Sequence, residues 1–325
     1  AQTPADLGSL SDGEHDLKGG ETHSFRVSLT SGEFLYALVE QIDIDVTTAV
    51  FAPDGKQITE SNSPNDRWGT EPILLVAPAP GEYRVEIRSS NSKAPPGRYR
   101  IKIVAQRGAT TVDEGHALAQ ATFDEARKLR IQTSPAAKRA AIEKGQQALP
   151  LFEAAGDTYR RALTLIGIGI AYYQLNEFRT ALTYFNQTLF VARTIGDRRL
   201  EAGTETFVGG MLDILGDVGQ ALDHYQNAVK LAREGGWQLA EGNALSNIGK
   251  IYSDVAEWQK ALEFFDQALT IFRAIRSDSN AAITLNNIGI AYSESGEDLK
   301  ALDYLQQSLP LLRAAKDKKA EAYTL

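Results

Sequence analysis

The 325-residue chain contains no cysteine, and that removes disulfides, thiolate nucleophiles and cysteine-type zinc sites together. Long apolar runs are missing too. The longest, such as Ile73 to Ala79, is broken by proline and falls far short of the roughly 20 residues needed to span a bilayer. An excess of positive charge is also lacking: the net charge is −8. Residues 1–107 carry 11 basic and 15 acidic side chains and the remainder 23 and 27, so neither part has a basic stripe to neutralise phosphates. Nucleic acid is therefore not the expected partner. Histidine is scarce, with His15, His23, His116 and His224 only. None has a second histidine at metal spacing or a triad beside it, so all four read as surface or turn residues. No catalytic residue, metal site or cofactor is expected, and the chain reads as a non-enzyme.

What is present changes character near Arg107. Before it, hydrophobicity alternates with a period of two in Ser24–Leu29, Phe34–Val39, Thr48–Phe51, Ile73–Val76, Tyr83–Ile87 and Tyr99–Ile103. Turn residues separate these runs: Pro53-Asp54-Gly55-Lys56, Pro80-Gly81-Glu82 and the loop from Ser89 to Gly97. Six or more short strands with no helical stretch between them predict an antiparallel β-sandwich over 1–107. Asp43 and Asp45, with Asp66 or Glu71, offer oxygen ligands for calcium, but a solvated strand face with Ile42, Ile44 and Val46 pointing inward explains them better. Calcium needs six or more oxygens, and four at best can be named.

After Gly108 the pattern is helical and repeats every 40 residues. Ile168-Gly169, Val208-Gly209, Ile248-Gly249 and Ile288-Gly289 keep that spacing, as do Ala181-Leu182, Ala221-Leu222, Ala261-Leu262 and Ala301-Leu302. Phe185, Tyr225, Phe265 and Leu305 follow each alanine by four. The glycine and the alanine let two helices of a hairpin approach closely. Tyr172, Tyr252 and Tyr292, with Leu212 once in their place, are expected to fill the space between hairpins. Repeat boundaries fall at 157–196, 197–236, 237–276 and 277–316, with a partial repeat over 317–325 and an atypical hairpin over 108–156. Gly167-Ile168-Gly169 lies mid-helix with no strand before it, so packing and not nucleotide binding explains it.

These positions, with Leu/Asn-Asn-Ile-Gly-x-x-Tyr in the first helix, resemble the tetratricopeptide repeat (TPR) in its 40-residue form. The resemblance implies a superhelical solenoid whose first helices line a concave wall, and a partner that is a protein or peptide. Asn247 and Asn287 precede the Ile-Gly pair, where the family's asparagines hydrogen-bond the backbone of a bound peptide; an amide offers donor and acceptor together. Asn243, Lys250, Asp254 and Asn286 lie on or near the same faces and complete the expected peptide-binding set, with Ser246 beside them. A solvated polar face is the alternative. Gly167 and Phe207 replace the asparagine in repeats one and two, and Leu163, Ile166, Ile170 and Tyr173 make the first wall more apolar. A carboxylate clamp needs several Lys or Arg, and only Lys250 is present beside Asp213 and Asp254.

The N-terminal run of Asp43-Ile44-Asp45-Val46, Ala52-Pro53-Asp54-Gly55-Lys56, Ala79 to Val85 and Gly97 to Ile101 resembles the bacterial pre-peptidase C-terminal (PPC) domain, a jelly-roll-like module of secreted enzymes. That resemblance implies an extracytoplasmic protein, periplasmic or secreted, and the start Ala1-Gln2-Thr3-Pro4 reads as a mature end. Repeats with phrases such as Leu309-Pro310-Leu311-Leu312-Arg313-Ala314 are similar to those preceding caspase-like CHAT protease domains. The last residues, Asp317 to Leu325, read as the start of a fifth first helix, so a longer protein is expected, with self-association through the open repeat as a further expectation.

Overall fold

The computed structural model describes residues 5–7, 13–62 and 68–315. Asp66 of the calcium reading and the partial repeat 317–325 lie outside them. The chain divides into two compact units, Ala1–Ala171 and Tyr172–Leu325.

The first unit opens with two sheets. One has the order β1 (Ala5–Asp6), β3 (Thr22–Leu29), β8 (Gly81–Ser89), β5 (Val46–Phe51), β6 (Gln57–Ser61). The other runs β2 (Glu14–Leu17), β9 (Gly97–Gly108), β4 (Glu33–Ile42), β7 (Trp68–Val76). Every pairing is antiparallel except the short β1–β3 contact. Alternate residues of both sheets, including Phe25, Val27, Val85 and Ile87 from one and Leu35, Val39, Ile73 and Tyr99 from the other, close a single apolar core. The predicted sandwich is therefore present. Its six expected strands are all there, each longer than the alternation alone showed. Asp43 is not in a strand: it takes a left-handed conformation (φ 64°) between β4 and β5, while Ile44 and Val46 are fully buried.

Helices α1 (Thr111–Arg130) and α2 (Pro135–Ala154) pack against each other. Thr110 and Asp113 make a capping box at the start of α1, satisfying otherwise orphaned amides. Arg107, at the end of β9, donates to both Asp113 oxygens at 2.5 and 3.0 Å and holds that carboxyl down at about 2. His116 packs edge-on against Tyr36 and Phe152, with Nε2 2.9 Å from Asp157. Burial works against the Asp157 charge, but His116 and Arg160 outweigh it and hold the group at about 2. His116 is thus a buried partner of a carboxylate, contrary to the surface role expected for it.

In the second unit, α4 (Phe178–Ile195), α5 (Arg198–Ile214), α6 (Val218–Gly235), α7 (Gln238–Asp254), α8 (Trp258–Ala274), α9 (Asp278–Glu294) and α10 (Asp298–Ala315) alternate as hairpin partners; α3 (Thr158–Gln174) runs across the division. The repeat sets the backbone as well as the side chains. Positions 176, 216, 256 and 296 all have positive φ, and so do 156, 196, 236 and 276. Glycine occupies five of these eight, where it fits without strain; Asn176, Ala256 and Arg276 take the same left-handed turn.

Close helix approach explains the glycines after the Ile or Val. A Cβ on Gly249 would lie 2.7 Å from Phe265 and 3.1 Å from the Ala261 carbonyl; on Gly289 it would meet Leu305 at 2.7 Å. The tyrosines differ from expectation. Tyr252 stacks on Phe264 and Tyr292 on Tyr304, each at 5.5 Å, so they pack within their own hairpin rather than between hairpins.

Candidate functional site

Helices α5, α7 and α9 lie side by side, α5 against α7 and α7 against α9. The 40-residue register puts equivalent residues in rows across this layer. One row is Gly203, Asn243, Ile283; the next Phe207, Asn247, Asn287; then Gly210, Lys250, Ile290; then Ile214, Asp254, Glu294. Within α7, Asn243, Asn247, Lys250 and Asp254 are spaced four, three and four apart, which places them on one helix face. Asn287 joins them by register, and Asn286 sits about 100° around α9. All four asparagines are partly accessible, while Ile248, Gly249, Ile288 and Gly289 beside them are buried.

Lys250 is already engaged. Its Nζ lies 2.6 Å from Asp254 and 3.5 Å from Asp213. Burial opposes the ammonium, yet the hydrogen bonds and fields of the two aspartates prevail and raise its pKa. The face therefore offers an anion no unshared cation at this point.

Phe207, which stands where the asparagine is found in later repeats, is 38% exposed. Its ring stacks on the buried Phe185 at 4.9 Å and 11° between planes, so it is held rather than mobile. Ile214, two turns on, is 46% exposed. In the sequence Phe207 is only a departure from the asparagine row; its exposure and stacking are what the fold adds.

A second departure lies inside repeat two. Glu205 is 1% exposed at the position held by the buried Leu245 and Leu285 in the next repeats. Its carboxylate accepts from His224 Nδ1 at 2.5 Å and from Arg193 at 2.6 Å. His224 in turn stands where Phe264 and Tyr304 stand, so this histidine, 24% exposed, is the partly exposed partner of a buried carboxylate. Arg193 also reaches Glu201 at 2.9 Å, and Arg233 repeats that bond to Glu241 at 2.6 Å. The 40-residue spacing of Arg193, Arg233, Arg273 and Arg313 was the signal available for these bridges. Among the described residues, no three His, Asp or Glu side chains converge in a way that could hold a metal ion. No helix among them is long and apolar enough to cross a membrane.

Residues 200–274 and 240–314 match the tetratricopeptide repeat family. Residues 200–314 are thus tetratricopeptide repeats. No curated protein matches the sequence. Among solved structures, aspartyl phosphate phosphatase F from Bacillus subtilis aligns with a TM-score of 0.60 and 16% identity, over 66% of this chain and 56% of its own. RapI in its apo form aligns at 0.56 and 19%, over 63% and 74%. The Rap conjugation gene regulator of plasmid pLS20, solved with the Phr* peptide, aligns at 0.52 and 15%, over 66% and 56%. The chain thus spans little more than half of two of these proteins. At such identities the likeness is one of fold, and no catalytic family is matched.

Proposed function

We propose that this chain is a non-catalytic recognition module that binds an extended peptide, or an extended segment of a protein, on the concave face of its TPR array. The observation that carries the reading is the row of Asn247 and Asn287, partly accessible on adjacent first helices and flanked by Asn243, Lys250, Asp254 and Asn286. Side-chain amides one helix apart can satisfy successive donors and acceptors of a peptide backbone, whatever its sequence. Concave solenoid faces are the usual binding surfaces of such folds. A Rap protein of the same fold was solved with a peptide, and this supports the reading by analogy. The test is a pull-down with the Asn247→Ala/Asn287→Ala double variant, checked for unchanged helicity. Loss of the partners retained by wild type is expected; unchanged capture overturns the groove assignment.

The same reading extends to setting. The PPC-like motifs of the N-terminal run favour an extracytoplasmic bacterial protein; the alternative to a stand-alone module is that this region serves recognition in a larger protein that carries a CHAT-type protease. Sequencing the gene beyond Leu325 tests this: a His/Cys α/β domain is expected, and a capping repeat followed by a stop codon contradicts it.

A further inference from the structure

Gly203 and Gly210 lie inside α5, one turn before and one turn after Phe207. A glycine in a helix interior costs about 1 kcal/mol relative to alanine, and several helical glycines here, such as Gly209, Gly249 and Gly289, have a packing reason. Gly203 and Gly210, like Gly167 and Gly219, do not. A Cβ on Gly203 would meet nothing within 4 Å, and one on Gly210 would only touch the Tyr225 hydroxyl at 3.5 Å. The result is a fixed, exposed aromatic ring with bare backbone on either side, continued by the exposed Ile214.

Acid outweighs base on the adjoining rim: Lys260 and Lys300 lie over Tyr252 and Tyr292, but each is paired with its own carboxylate, Glu257 or Glu297. Asp213, Asp254 and Glu294 close α5, α7 and α9, and none of these helices has a basic residue in its last turn. Carboxylates at helix C-termini add to the negative end of the macrodipole rather than offsetting it. Lys250 is shared between two of the three, so the rim stays negative.

Resting on the peptide-binding reading above, we infer that the occupant is an extended peptide carrying a large apolar side chain close to a lysine or arginine. The apolar side chain seats on Phe207 over the bare turns at Gly203 and Gly210, and the cation meets Asp213 and Asp254. Phe207 and Asp213 are about 9 Å apart along α5 at 1.5 Å per residue, a span of two or three extended residues. Acidic peptides are rejected, because the one lysine between these carboxylates is already shared.

The experiment is selection of a displayed random decapeptide library on the whole chain, followed by calorimetry of enriched peptides on three variants. Gly203→Gln/Gly210→Gln fills the bare turns while improving helix propensity, so melting at or above wild type shows that the fold is intact. Asp213→Asn/Asp254→Asn removes the rim charge, and Asn247→Ala/Asn287→Ala removes the amide row. Enriched peptides are expected to pair an apolar residue with Lys or Arg at that spacing, to lose tenfold or more affinity on the glutamine variant, and to lose severalfold on the rim variant. Enrichment of acidic or wholly polar peptides overturns the inference. So does binding that falls only with the asparagine variant, which would leave the groove reading standing. Binding unaffected by all three variants, or no enrichment at all, overturns both.

Discussion

Restoring the repeat's own apolar pair at the Glu205–His224 site should stabilise the array. In Glu205→Leu/His224→Phe, leucine enters a site whose equivalents, Leu245 and Leu285, are 1% exposed, and phenylalanine enters one filled by Phe264 in the next repeat. Burying a leucine side chain contributes about 2 kcal/mol, and the desolvation of a buried carboxylate is relieved. Against this stand two charge-assisted bonds, one from His224 and one from Arg193. Arg193 is half exposed and keeps Glu201, so its loss is small. Replacements of buried ion pairs by apolar residues of fitting volume are neutral or favourable by about 1–4 kcal/mol. A gain of about 2 kcal/mol is expected, or roughly 4–8 °C in melting temperature for a unit of this size. Glu205→Ala serves as the contrast. It leaves a cavity and removes the shared acceptor, and should lose about 3 kcal/mol. Thermal melts followed by circular dichroism at 222 nm decide. A double variant that melts at or below wild type would show that the ion cluster stabilises the hairpin and would refute the argument.

Three other predictions use the same structure. Ala256→Gly and Arg276→Gly, at left-handed positions filled by glycine in other repeats, should each stabilise by about 1 kcal/mol, read as a higher denaturation midpoint in urea. Gly249→Ala should destabilise by roughly 1–3 kcal/mol because its Cβ has no room against Phe265, whereas Gly203→Ala should gain up to about 1 kcal/mol; equal effects would show that packing does not distinguish the two glycines. Burial pushes the Asp124 carboxyl up to about 6, against the hydrogen bond from Gln120. Its protonated form is therefore favoured by folding, and the stability it contributes is full below about pH 4 and lost as pH rises through 6. Asp124→Asn should raise stability at pH 7 by about 1–2 kcal/mol and flatten urea midpoints between pH 4 and 6; an unchanged slope would contradict the assignment.

The repeat was legible because its spacing is enforced by sterics: only glycine fits at 209, 249 and 289, and only small residues at 221, 261 and 301. The central strands were legible because both their neighbours and their core face demand alternation. Two of the edge strands were not, although part of the edge strand β7 was. Glu14–Leu17 and Gln57–Ser61 each have one neighbour, so most of their side chains are polar and the period of two is hidden. Tyr252 and Tyr292 showed that something large was needed, but not on which side of the helix the stacking partner lay. Glu205 and His224 were visible as residues, yet their meaning depends on a leucine row and an aromatic row that the glycine and alanine landmarks do not mark. The candidate face was half legible: the asparagine row follows from register, while the exposure of Phe207 and the sharing of Lys250 depend on how neighbouring helices pack.

The central claim, a binding face on α5, α7 and α9, is tested most directly by hydrogen–deuterium exchange of the whole chain with and without an enriched peptide at saturation. Added protection in α5, α7 and α9, with α4, α6, α8 and the sandwich unchanged, is the predicted result. Protection confined to the sandwich or to the second helices α6 and α8 would contradict it.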